Sequence, residues 1–203
     1  MATDPAARTM RVGLVGAGMF GGDVHLRTYA DLVRCGIAPY LGRIGMDGYG
    51  REYGAVAFEL TAVATRSEAS AARAADTFEE WTGVRPAGYH GASPWEEMLS
   101  AHPDLDILAV ATPDHLHTAP TLAALAAGVH VVLEKPMTLD MAEADAIVAA
   151  ADAAGLVVGL DMHKRYDPDH LFMFDSLMDD IGAPLYGRAV LEEPLEVSTE
   201  TFK

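Results

Sequence analysis

Apolar residues in this chain gather into short runs that alternate with longer stretches of helical spacing. The runs Arg11–Val15, Phe58–Thr65, Asp106–Ala111, Val129–Leu133 and Leu156–Met162 predict strands, and Pro86–His90 predicts a further short one. Helices are predicted between them at Phe20–Arg34, Glu68–Trp81, Pro94–Ala101, His117–Ala127, Leu139–Ala154 and Asp169–Ile181. In the first of these, Leu26, Tyr29, Ala30 and Val33 share one face. His25 precedes them, and packing on the helix face suits it better than contact with a ligand. Gly128, Gly155 and Gly182 stand where three of the helices should end. Ser67 is placed to cap the second helix. Ser93-Pro94-Trp95-Glu96 predicts a capped start with a reciprocal Ser–Glu capping box. Strands alternating with helices imply an α/β fold, a parallel sheet with helices on both faces.

The first strand runs into Gly16-Ala17-Gly18-Met19-Phe20-Gly21 and then a helix. This Gly-x-Gly-x-x-Gly spacing suits a dinucleotide diphosphate. Gly16 makes the tight turn, Gly18 lets backbone approach the phosphates, and Gly21 lets helix pack on strand. The helix N-terminus offers free N–H groups and a positive dipole end. The fold is therefore read as a Rossmann-type doubly wound sheet. Its domain is expected over residues 10–183, after a loose tail at 1–9. Residues 36–57, punctuated by Gly36, Pro39, Gly42, Gly45, Gly48, Gly50 and Gly54, read as an insertion with at most short helical turns. A boundary is expected after Gly182. Residues 184–203, with a strand-like run at Leu185–Val197, would be only the start of a second, α+β domain.

Composition narrows the partners. Fourteen Lys and Arg against 30 Asp and Glu give a net charge of -16, which disfavours nucleic acid and anionic membranes. No apolar run is long enough to span a bilayer, and residues 1–9 lack the apolar core of a signal peptide. The single cysteine, Cys35, excludes an internal disulfide and a Cys-based zinc site. A cytoplasmic protein with no metal site is expected.

Candidate chemistry collects just past the strand ends, where such sheets bind ligands. Thr65-Arg66-Ser67 follows the second strand and carries no acid to take ribose hydroxyls. Arg66 between two hydroxyl residues favours the 2′-phosphate of NADP over NAD. Ala111-Thr112-Pro113-Asp114-His115-Leu116-His117 follows the fourth strand, and Pro113 turns the backbone against a flat cofactor. His117 is read either as an acid–base group or as a capping or wall-packing residue. Glu134-Lys135-Pro136 follows the fifth strand, with Lys135 able to reach into the crevice as a proton-transfer group. His163, Arg165 and Tyr166 follow the sixth strand. Arg165 would hold a substrate oxygen or form a steadying salt bridge.

Taken in order, Gly-Ala-Gly-Met-Phe-Gly, Ala-Thr-Pro-Asp-His-Leu-His and Ala-Gly-Val-His-Val-Val-Leu-Glu-Lys-Pro resemble the glucose–fructose oxidoreductase/inositol dehydrogenase (Gfo/Idh/MocA) family from Met10 onward. The resemblance implies bound NAD or NADP and hydride exchange with a sugar, polyol or related carbonyl compound. It makes Lys135 the catalytic lysine, with Glu134 and Pro136 shaping the nicotinamide pocket. It puts Thr112, Pro113 and His117 along the cofactor cleft, with Gly16–Gly21, Thr65–Ser67, Ala111 and His115 completing the contacts. His163, Arg165 and Tyr166 would face substrate. Asp114 stands where the family often has Asn. The family's Asp-x-x-x-His pair has no counterpart here, so the chain reads as a piece or a shortened product that binds cofactor with little turnover. A homo-oligomer is expected of a full-length form. Two other readings stay open: a non-catalytic nucleotide-binding sensor or partner subunit, and a nicotinamide-dependent glycosidase or lyase.

Overall fold

The computed structural model describes residues 8–53, 55–177, 180, 182, 183, 185–188 and 190. Six strands form one parallel sheet: β1 (Thr9–Val15), β2 (Ala57–Thr65), β3 (Ala87–His90), β4 (Ile107–Val110), β5 (His130–Glu134) and β6 (Val158–Asp161). Their order is β3-β2-β1-β4-β5-β6, and every neighbouring pair is parallel. The sequence runs outward from β1 on one side and from β4 on the other. The order therefore reverses between β1 and β4, which opens a crevice at their carboxyl ends.

Helices cover both faces. On one face, α1 (Arg27–Cys35) and α4 (Glu68–Thr82) close over Val12, Leu14, Leu60 and Val63, with Phe78 fully buried among them. On the other, α5 (Pro94–Ala101), α6 (Thr118–Ala126) and α7 (Met141–Ala154) pack Met98, Leu125 and Ile147 against Val15, Leu108 and Leu133. Strand alternation divides β1 between these cores: Val12 and Leu14 enter the first, while Gly13 faces the second. A side chain at Gly13 would strike Met98 Sδ 2.8 Å away, so glycine there lets α5 pack down on the strand.

The expected insertion forms two short helices, α2 (Ala38–Arg43) and α3 (Asp47–Tyr53), with Tyr49 and Tyr53 stacked at 6.1 Å. It joins the end of α1 to the amino end of β2, opposite the crevice. Left-handed glycines close α4 at Gly83 and α7 at Gly155. Ser67 caps α4 as expected, accepting the Ser70 N–H.

The capping box at Ser93 does not form. Ser93 lies at φ -131° and ψ 60° with no capping bond from its side chain, and its backbone carbonyl takes the Glu96 N–H at 3.1 Å. The first helix also departs from expectation. Before α1 the chain makes a wider π-helical turn, Gly21–Leu26, which holds His25.

The chain divides into two compact units, Met1–Lys164 and Arg165–Lys203. In the second, α8 (Pro168–Phe172) starts at Asp167, whose carboxylate accepts the Asp169 and His170 N–H groups, and a π turn, Met173–Leu177, follows. The strand expected at Leu185–Val197 falls mostly outside the described residues. Among the described residues no helix is long and apolar enough to cross a membrane.

Candidate functional site

The glycine corner is built by contact with its neighbours. Gly16 has φ +94° and donates its N–H to the Ala64 carbonyl at 2.9 Å. A Cβ on Gly16 would overlap the Ala111 carbonyl, and one on Gly21 would overlap the Gly16 carbonyl. Both glycines are therefore demanded by the backbone. Gly18 is different. A Cβ there would meet nothing within 4 Å, so its surface is open toward the crevice. Ala17 is half-buried, while Met19 and Phe20 are exposed at the rim. Open space above Gly18, at the start of a helix, fits a diphosphate.

Thr65 is buried and donates its hydroxyl to the Ser67 carbonyl at 2.9 Å. Arg66, between them, is exposed and pairs with no acid among the described residues. Its guanidinium is free to take an anion beside the crevice.

After β4, Thr112 to Leu116 turn through a short 3-10 segment, Asp114–Leu116. Ala111 is half-buried, and Pro113 and His115 are exposed. Thr112 Oγ1 is buried without a hydrogen-bond partner among the described residues. A lone buried hydroxyl here suits a polar atom of a bound cofactor.

His117 is fully buried. Its Nδ1 lies 2.8 Å from the Pro136 carbonyl oxygen and its Nε2 2.9 Å from the Thr112 carbonyl oxygen. A neutral ring donates to one of these carbonyls, an imidazolium to both. The ring thus ties the loop after β4 to the loop after β5, a wall-building role. His117→Ala would leave a cavity and at least one of these carbonyls without its donor. We expect it to lower unfolding stability by about 2–4 kcal/mol. Urea denaturation checks this, and an unchanged midpoint would contradict the bridge.

The Glu134-Lys135-Pro136 corner ends β5. Lys135 and Pro136 are exposed at the rim, and the bond between them is cis. Glu134 turns the other way. Its side chain is buried, with Oε1 2.7 Å from His25 Nε2 and Oε2 accepting the Lys135 backbone N–H at 3.2 Å. Burial pushes the Glu134 carboxyl up, but the bond and charge of His25 and the Lys135 N–H outweigh it and hold the carboxyl below its usual range. Glu134 is thus the inward anchor of the corner, and Lys135 is the group facing out.

His25 was expected as a packing residue. It is buried, but through a polar pairing, with Phe20 edge-on at 6.0 Å between ring centroids. Asp161, not singled out by the sequence, stands beside the pair with Oδ2 3.9 Å from His25 Nε2. Its signal was an acid closing an apolar strand, in register with Glu134 on β5. Burial, then the charge of Glu134, raises the Asp161 carboxyl above its usual range.

His163 is exposed at the end of this unit, its ring 6.2 Å from that of Phe20. Arg165 and Tyr166 are exposed and belong to the second unit. The structure therefore brings together the ends of β1, β2, β4, β5 and β6 with the residues that follow them, up to His163.

Comparison with known proteins agrees with this geometry. Residues 10–162 match the family described as "Oxidoreductase family, NAD-binding Rossmann fold", the Gfo/Idh/MocA family. The chain is 40% identical over 93 residues to 1,5-anhydro-D-fructose reductase of Ensifer adhaerens, covering 45% of this chain and 28% of that protein. It is 31% identical over 201 residues to inositol 2-dehydrogenase of Acidothermus cellulolyticus, covering 98% of this chain and 49% of that one. Among solved structures, biliverdin reductase of Synechocystis sp. PCC 6803, in complex with biliverdin and NADP+, superposes with a TM-score of 0.57 at 28% identity, over 83% of this chain and 42% of that one. The chain thus spans about half the length of these relatives or less. A glycine corner at the switch point, an outward lysine after β5 and a family match over most of the chain lead to one conclusion: this chain belongs to the Gfo/Idh/MocA family of oxidoreductases with an NAD-binding Rossmann fold.

Proposed function

We propose that this chain carries the cofactor half of an NAD(P)-dependent oxidoreductase acting on a sugar, polyol or related carbonyl compound. The observation that carries this reading is Lys135, exposed at the carboxyl end of β5 beside the crevice that opens at Gly18. Bound nicotinamide would supply the hydride chemistry. The protein's part is orientation and proton handling. Gly16–Gly21 hold the diphosphate, Thr112 offers its free hydroxyl, and Pro113, His115 and Pro136 form the exposed walls around it. Lys135 takes the proton from a substrate hydroxyl, or returns it in the reverse direction. His163, Arg165 and Tyr166 are our candidates for substrate contacts.

Arg66 favours NADP. It has no acid partner among the described residues, and no carboxylate stands at Thr65–Ser67 to bind free ribose hydroxyls. NADPH and NADH fluorescence titrations test this on the chain as it stands. NADPH should bind about tenfold more tightly, and Arg66→Ala should remove that preference by weakening NADPH alone. Tighter NADH binding would reject the assignment.

An exposed Cys35 fits a reducing cytoplasm. Among the described residues no strand lies beyond β6, four residues long, and we expect its outer edge to favour a homo-oligomer. A small molecule is the expected partner, with nucleic acid and anionic membranes disfavoured by the net charge of -16.

A further inference from the structure

Beneath the Lys135 corner lies a cluster that the hydride reaction does not itself require. His25 comes from the π turn after the glycine corner, Glu134 from the end of β5 and Asp161 from the end of β6. Glu134 and Asp161 are matched residues of neighbouring parallel strands. Two carboxylates at such positions repel one another. Here Glu134 is withdrawn from water and Asp161 only partly so, and His25 Nε2 lies 2.7 Å from the first and 3.9 Å from the second. One ligand atom from each residue lies within 4.8 Å of the others. The 2.7 Å contact is a direct hydrogen bond that joins His25 to Glu134 without an intervening ion, while Asp161 stands beyond hydrogen-bond reach of the ring.

We propose that His25, Glu134 and Asp161 form a proton-sharing unit that positions Lys135 and makes its pose respond to pH. The inference rests on Lys135 being the working lysine of the rim. The link is short. Oε1 of Glu134 is held by His25, and Oε2 accepts the backbone N–H of Lys135 itself. Any proton gained by either carboxylate changes that bond. The other ionisable groups facing the cluster are Tyr29, whose hydroxyl is raised by burial and then by Asp161, His163 after β6, and Lys135. The elevated Asp161 and depressed Glu134 carboxyls agree with one proton lodging on the Asp161 side as pH falls. His25 and Asp161 are thus positioning residues, acting on Lys135 through Glu134.

A pH titration of the whole chain by two-dimensional NMR, without cofactor, tests this independently of the oxidoreductase reading. The backbone amide of Lys135 and the ring of His25 should move with shared midpoints, as coupled groups do. Asp161→Asn should remove the first carboxylate step at the Lys135 amide as pH falls and leave only the Glu134 step, because the first proton then has no Asp161 carboxylate to lodge on. His25→Gln, which keeps a donor but cannot titrate, should hold the Lys135 amide near its parent position and remove the part of its response that follows the His25 ring. Independent midpoints at the two sites, or a parent-like profile in either variant, would overturn the proposal. So would stoichiometric binding of zinc or manganese by the parent protein but not by Asp161→Asn. A failed cofactor titration with coupled midpoints intact would instead count against the oxidoreductase reading alone.

Discussion

Gly18→Val will leave the domain folded and weaken NADPH binding by about a hundredfold or more. The two halves of this expectation have separate causes. Gly18 has no left-handed backbone to protect, and its missing Cβ borders open space. Valine there meets no neighbour, and its helix propensity is no worse than that of glycine. The open space is the approach that a diphosphate needs, and an isopropyl group fills it. Gly21→Val is the contrasting case. Its Cβ would overlap the Gly16 carbonyl, so the strand–helix corner itself must move. That variant should lose folding stability along with binding. Thermal melts beside NADPH fluorescence titrations separate the two. Parent-like affinity in Gly18→Val would remove the diphosphate from this corner.

The contrast shows what could be read from the sequence. Three glycines at fixed spacing announce one motif, and the tight turn it predicts at Gly16 and the close packing it predicts at Gly21 are both present. The alternation of strands and helices, and the placing of Thr65–Ser67, Ala111–His117 and Glu134–Pro136 just past strand ends, also follow from local signals: apolar runs, glycine helix ends and polar residues just past each run. The His25–Glu134–Asp161 cluster was not legible in the same way. It joins residues 109 positions apart, on elements that become neighbours only through the order β1-β4-β5-β6. The π turn that holds His25 leaves no mark in helical spacing. Ser93 failed as a cap for a related reason. A Ser-Pro-x-Glu string names the residues able to cap, but backbone ψ decides whether the side chain or the carbonyl meets the Glu96 N–H. Asp140 shows the opposite outcome, an uncredited residue in extended conformation whose carboxylate takes the Ala142 and Glu143 N–H groups.

Lys135→Met will lower kcat by about 10²–10⁴-fold in any turnover-competent form carrying this domain, with cofactor affinity held within about twofold. Methionine keeps the length and apolar stem of lysine and removes its proton-carrying head. The backbone N–H of residue 135 still reaches Glu134, so the corner keeps its anchor. Lys135→Arg then decides between two uses of the amine. Arginine restores positive charge but does not release a proton in proteins. If Lys135 only stabilised developing negative charge on the substrate oxygen, arginine would recover much of the rate. If Lys135 carries the proton, both variants should be slow. Their remaining activity should then rise as hydroxide takes over the task at high pH, giving a rate that climbs through the range where the parent enzyme is level. A Lys135→Met variant with parent-like kcat would place proton transfer elsewhere on the rim and return Lys135 to the role of an exposed cation.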